Sequence, residues 1–194
     1  MNRLRRVLTG CGIAAGVAAA GAPLGLLWHA VAPTVPVKVT ADGAVLGSSQ
    51  PEQFIAADGW FSLLGLAFGV LAAVLLWVLA RRHRGPAHLL AVVVGGCGAG
   101  LLAWQVGRHI GLAHYQHLLD TAPEGATFGK PPDLRATTLK LGRLPLVRGD
   151  VLTPALGAAI TYTLLAGWSR FPTLRRHEEP EVPQWPVEPF ASVD

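Results

Sequence analysis

Residues 70–96 read VLAAVLLWVLA-RRHRGP-AHLLAVVVGG. Two apolar runs are joined by six residues that include Arg81, Arg82 and Arg84. A bilayer core about 30 Å thick takes about 20 apolar residues per helix. The link is too short for anything but a tight antiparallel turn. This stretch therefore predicts a helical hairpin with a cationic tip, and the second and third of four membrane spans. Working outward, the spans are placed at about 7–32, 57–80, 87–112 and 151–168. The fourth is the most dilute, with Thr153, Pro154, Gly157, Thr161 and Thr163 inside it. Pro154 falls in its first turn, where a missing N–H is tolerated, and Asp150 or Thr153 can cap it.

Composition agrees. Of 194 residues, 51% are hydrophobic and only 14% charged, against about 25% charged in an ordinary soluble domain. That excludes a disordered chain and makes a water-soluble enzyme a poor fit. The fold class expected is an all-α integral membrane protein: a four-helix bundle with a small extracytoplasmic β-containing cap. The net charge of +4 does not point to nucleic acid, because the arginines flank apolar runs as the positive-inside rule requires. Arg3, Arg5 and Arg6, then Arg81, Arg82 and Arg84, then Arg170, Arg175 and Arg176 all fall on one side of such a bundle. Both termini are expected in the cytoplasm of a plasma-membrane protein, with 33–56 and 113–150 outside. Two other readings of the N-terminus fit less well. A cleaved signal ending at Ala30-Val31-Ala32 needs a shorter apolar core. A lipoprotein box at Leu8-Thr9-Gly10-Cys11 has only two apolar residues, Val7 and Leu8, between the arginines and Thr9.

The first external segment alternates Val35, Val37 and Val39 with Pro36 and Lys38, then turns at Asp42-Gly43 into Ala44-Val45-Leu46. This is a hairpin pattern. The second has a Gly129-Lys130-Pro131-Pro132 turn and an alternating Thr138-Leu139-Lys140-Leu141 stretch. One hairpin alone is marginal in water, and a strand from the second segment would complete a sheet. The alternative is two irregular loops.

Glycines four apart share a helix face and let backbones approach. Gly12/Gly16, Gly65/Gly69, Gly96/Gly100 and Gly107/Gly111 are the expected packing or partner-contact pairs, with Gly21/Gly25 a further one. With Gly95 and Gly98 added, the third span carries glycine on several faces and is expected to sit centrally.

The span midsections contain no Asp, Glu, Lys, Arg or His, so an ion path has no polar waypoint. Polar groups gather instead at the outer ends: His29, Asp58, Arg108 and His109 form a ring at the level of Trp28, Trp60, Trp104 and Tyr115. An Asp58–Arg108 ion pair would orient the helices there. His114, His117 and Asp120 follow at i, i+3, i+6, a weak metal-ligand pattern with no carboxylate pair or HExxH beside it. No Walker, GxSxG or nucleophile–base motif is present in the sequence, and no cofactor is expected. Residues 170–194 form a tail that is expected to be disordered and cytoplasmic. Its Pro180, Pro183, Pro186 and Pro189 recur every third residue beside Trp185, one edge of a polyproline helix that can serve as a docking strip.

In order along the chain stand Ala32-Pro33, Ala57-Asp58-Gly59-Trp60-Phe61, Ala103-Trp104-Gln105-Val106-Gly107, Gly125-Ala126-Thr127 and Pro154-Ala155-Leu156. In this order they resemble a family of four-span actinobacterial membrane proteins catalogued only as a domain of unknown function. The resemblance implies the topology and a Gram-positive plasma membrane, and carries no activity or site residues. The functional expectation is a non-enzymatic accessory or assembly subunit of an envelope complex, in contact with the lipid bilayer and other membrane proteins. The alternative is a small transporter or lipid-handling protein using the outer polar ring.

Overall fold

The computed structural model describes residues 3–41, 43–46, 52–80, 85–134, 138–141 and 144–169. Among these residues, six α-helices and five strands follow in order. Helix α1 (Arg3–Ala19) and α2 (Gly21–Val31) together make the first apolar stretch. The break between them follows from Pro23. Its ring clashes with the carbonyl four residues back, that of Ala19, and offers no N–H to it. The chain leaves α2 at Ala32, which is extended (ψ 131°), the conformation forced on a residue before proline.

Strands β1 (Val35–Thr40) and β2 (Gly43–Leu46) form the expected hairpin, closed by a hydrogen bond from Thr40 Oγ1 to the Gly43 carbonyl at 2.6 Å. On the other edge of β1 lies β3 (Thr127–Lys130), antiparallel, with Val37 opposite Phe128. The sheet order is β2-β1-β3. The third strand is thus not Thr138–Leu141. It takes in Gly129 and Lys130 of the expected turn and ends before Pro131. Gly129 lies in the ladder opposite Pro36, close to the Thr34 side chain. The Thr138–Leu141 stretch is β4, paired with β5 (Leu144–Arg148) as a separate hairpin. Val35 and Val37 are buried.

Helix α3 (Glu52–Leu79) starts five residues before the span predicted from hydropathy. Helix α4 (Pro86–His109) begins with proline at its first position, where the fixed φ favours a helix start. It stops where Ile110 is extended and Gly111 takes φ +76°, a left-handed conformation that glycine adopts without Cβ strain. Gly111 therefore serves a turn, not a packing seam. Helix α5 (Leu112–Thr121) follows. A 3₁₀ turn at Gly149–Leu152 leads into α6 (Thr153–Gly167). At about 2.0 and 1.5 Å rise per residue these two pieces span about 30 Å. Four helical stretches, Val7–Val31, Glu52–Leu79, Pro86–Thr121 and Gly149–Gly167, are long and apolar enough to cross a membrane.

Helix α4 packs against α1, α2 and α6, while α6 also packs along α3. Glycine decides this arrangement. On α4, Gly95 and Gly98 face Ala14, Val17 and Ala18 of α1; Gly96 faces Ala155 of α6; Gly100 abuts the Val151 carbonyl. Further along, Gly21 and Gly25 of α2 abut the backbone at Ala99 and Ala103, and Gly107 abuts Trp28. The pairing rises in the same sense on both chains, so α1–α2 and α4 run parallel. Gly65 and Gly69 of α3 meet Thr153 and Pro154, and Gly157 meets the Leu66 carbonyl. An added Cβ at Gly95, Gly96 or Gly98 would stand 2.8 Å from its neighbour, a distance at which something must shift.

Two buried clusters sit at opposite ends. One gathers Leu24, Trp28, Ala32, Ala57, Phe61, Ala103, Leu134 and Val151. The other gathers Ala73, Val92, Ala158 and Tyr162. Tyr162 also ties the α3–α4 link to α6. Its hydroxyl donates to the Gly85 carbonyl at 3.2 Å and accepts from the Gly85 N–H at 3.3 Å.

Candidate functional site

Two places on the molecule carry more than packing. The first is the polar junction where the helices meet the sheet. Trp28 anchors it. It is fully buried, its ring stands edge-on to Phe61 at 5.1 Å between centroids, and its Nε1 donates to the Ala57 carbonyl at 2.9 Å. It belongs to the core, not to the expected interfacial belt. Trp104 Nε1 donates to Asp133 Oδ1 at 3.1 Å, and the Arg108 guanidinium lies over the Trp104 ring, 4.6 Å from its centroid. Asp58 is itself engaged in a polar contact. Ser62 Oγ donates to Asp150 Oδ1 at 3.1 Å, which pins the start of the fourth stretch to α3. His109 Nδ1 lies 2.7 Å from the Gln105 carbonyl one turn back on its own helix.

His29 Nδ1, Arg108 Nε and Asp150 Oδ2 are buried with no hydrogen-bond partner among the described residues. Asp133 is not legible in the sequence as a site residue. Its link to Trp104 crosses from a loop to a helix, and nothing in the local sequence marks it. Asp150 reads as a helix cap, but its side chain reaches a serine 88 residues away.

His114, His117 and Asp120 do not assemble as ligands. The helix that carries them has no buried residue, and His117 is bonded within its own turn, with Thr121 Oγ1 donating to its carbonyl at 2.7 Å. Among the described residues no group of three His, Cys, Asp or Glu side chains is placed to hold a metal.

The second place is α1. A Cβ added at Gly12 or Gly16 would have nothing within 4 Å, in contrast to every glycine of the α2–α4 and α3–α6 contacts named above. Gly12, Ala15, Gly16 and Ala19 are all exposed and share one face at i, i+3, i+4, i+7. Val7, Gly10, Cys11 and Ala14 repeat the spacing five residues earlier, hence about 140° around the helix. These four, with Ala87, Leu90, Ala91 and Val94 of α4, line an apolar groove of about 320 Å³. Cys11 and Cys97 are both free thiols.

Pro180, Pro183, Trp185, Pro186 and Pro189 of the tail lie outside the described residues, as do Arg81, Arg82, Arg84, Arg170, Arg175 and Arg176.

No solved structure was found to match this chain. The uncharacterized protein ML1222 of Mycobacterium leprae (strain TN) is 31% identical over 163 residues, which cover 80% of this chain and 81% of that protein. A family model described as "Protein of unknown function (DUF2567)" matches residues 17–174. The match begins just after Gly16 and takes in α2 to α6 with both sheets between them. On that coverage, and with a mycobacterial relative of nearly matching extent, the chain belongs to the DUF2567 family of proteins of unknown function.

Proposed function

We propose that this chain is a multi-pass plasma-membrane protein with both termini in the cytoplasm, acting as a non-enzymatic accessory or assembly subunit of an envelope complex. The observation that carries the reading is the contrast between its glycine seams. Those on α2, α3 and α4 are filled by a neighbouring helix, whereas the Gly12/Gly16 face of α1 is bare. In a bilayer, close backbone approach at small residues is a main source of helix association. A bare seam of this type on a peripheral helix suits a partner helix. The orientation is supported by the three arginine clusters, all on the side of the α3–α4 link.

The experiment is a pull-down from membranes in mild detergent using a C-terminal tag. A stoichiometric membrane partner that is lost on Gly16→Leu supports the reading. A clean monomer unaffected by that change contradicts it.

The lipid-handling or transport reading draws on His29, Asp58, Arg108 and His109. It needs an opening between the helices at their level, and there Trp28, Phe61, Leu134 and Val151 fill the centre, all fully buried. The accessory reading is therefore preferred.

A further inference from the structure

We propose that the groove between α1 and α4 holds one acyl chain of an anionic phospholipid, with the phosphate held at the N-terminal ends of the two helices. The inference rests on the membrane reading above and concerns a face of α1 distinct from the bare glycine seam.

Three observations converge on it. The groove is lined by apolar or small residues only: Val7, Gly10, Cys11 and Ala14 from α1, and four from the first half of α4. It runs about 10 Å along α1, from Val7 to Ala14, so it is elongated, as one hydrocarbon chain requires. Among the described residues, those at its open end carry charge of one sign. Arg3, Arg5 and Arg6 occupy the first turn of α1, directly before Val7. Neither helix has an acidic residue in its first turn. The sequence contains no Asp or Glu from residue 1 to 41 or from 59 to 119. Finally, α1 and α4 run parallel, so both present their N-termini here. Helix N-termini carry partial positive charge and favour phosphate. A neutral zwitterionic lipid would fill the groove but leave this one-signed mouth uncompensated. An anionic headgroup answers both the groove and the charge.

The groove has an opening because the helices part there. Gly95 and Gly98 bring α4 against Ala14, Val17 and Ala18. Below that contact, Gly10 has nothing within 4 Å and Leu90 is 65% exposed. The small side chains at 10, 11 and 14 leave the space, and no element of the chain's described part closes it.

The test uses the full chain, purified in an uncharged detergent and mixed with equal amounts of dioleoyl phosphatidylglycerol and dioleoyl phosphatidylcholine. Native mass spectrometry reads the bound lipid. Phosphatidylglycerol is expected to be retained over phosphatidylcholine by about fivefold or more, since each arginine near an anionic headgroup contributes at that level. The variant carrying Arg3→Gln, Arg5→Gln and Arg6→Gln should bring the ratio close to one. Gly10→Leu fills the groove and should lower retention of both lipids. A wild-type ratio of one, or a Gly10→Leu protein that retains lipid as wild type does, overturns the proposal. A second readout needs no variant. Alkylation of Cys11 should slow severalfold on adding phosphatidylglycerol while that of Cys97 is unchanged; equal rates with and without the lipid overturn it. Carbonate extraction of the same membranes separates the two claims. A chain that washes off the membrane refutes the membrane reading, whereas a chain that stays in and binds no lipid refutes only this inference.

Discussion

The indole nitrogen of Trp28, on the second helix, donates to the main-chain carbonyl of Ala57 on the third at 2.9 Å. The bond ties the end of one apolar stretch to the beginning of the next, across the sheet that joins them. The ring beneath it is fully buried against Phe61 and the backbone of Gly107. Trp28→Ala empties this site and is expected to cost about 3–5 kcal/mol. Trp28→Phe keeps most of the bulk and loses the donor, costing about 1 kcal/mol from the hydrogen bond alone. Unfolding of the purified protein in detergent, followed by near-ultraviolet circular dichroism, measures both.

Glycine substitutions should divide into two classes. Gly69→Leu and Gly100→Leu drive a side chain into the Pro154 and Val151 carbonyls, and overpacking of this kind costs about 1–3 kcal/mol or more. Gly12→Leu and Gly16→Leu enter open space and should leave the midpoint of the isolated chain unchanged within experimental error. Equal destabilisation by both classes would mean that the Gly12/Gly16 face of α1 has an intramolecular neighbour.

Much of this is legible in the sequence. Hydropathy and arginine placement predict four stretches, and glycine spacing on residues 95–107 predicts a central α4. What escapes has physical causes. The break at Ala20 comes from one proline inside a run that hydropathy sees as continuous. The α4–α5 break comes from one glycine at positive φ. The third strand, Thr127–Lys130, is weakly β-prone by itself, and its pairing with β1 across about 90 residues overrides the local turn signal. The polar junction is half visible. Arg108 and Trp104 are in view by position, but Asp133 and the Ser62–Asp150 bond depend on long-range packing that has no local signature.

The Tyr162 hydroxyl holds Gly85 through both its N–H and its carbonyl. Tyr162→Phe removes both bonds and is expected to cost about 1–2 kcal/mol. Its edge contact with Trp77, 5.3 Å between centroids, should survive. Hydrogen exchange should accelerate at the Gly85 amide and leave α2 unaffected. Unchanged exchange at Gly85 would mean the link is held by other contacts.

Ser62 and Asp150 offer a double-mutant cycle. Ser62→Ala and Asp150→Ala each remove one side of a bond that joins α3 to the start of the fourth stretch. Coupling of about 0.5–1.5 kcal/mol is expected, read from the unfolding midpoints of the two single variants and the double. Additivity would show that the bond contributes nothing.

The orientation predicts that a cysteine at Ser48 or Thr127 reacts with an impermeant reagent in intact cells and one at Ser192 does not. The background is Cys11→Ser and Cys97→Ser. Reaction at Ser192 would reverse the orientation or remove the last stretch from the membrane.

The central claim is that the bare face of α1 meets a partner helix, and photocrosslinking in native membranes tests it most directly. A photoreactive residue replaces Ala15, on the Gly12/Gly16 face, or Leu71, which is 69% exposed on α3. A discrete protein adduct is expected from position 15, abolished by Gly16→Leu, and only lipid adducts from position 71. Lipid adducts alone from both positions would contradict it.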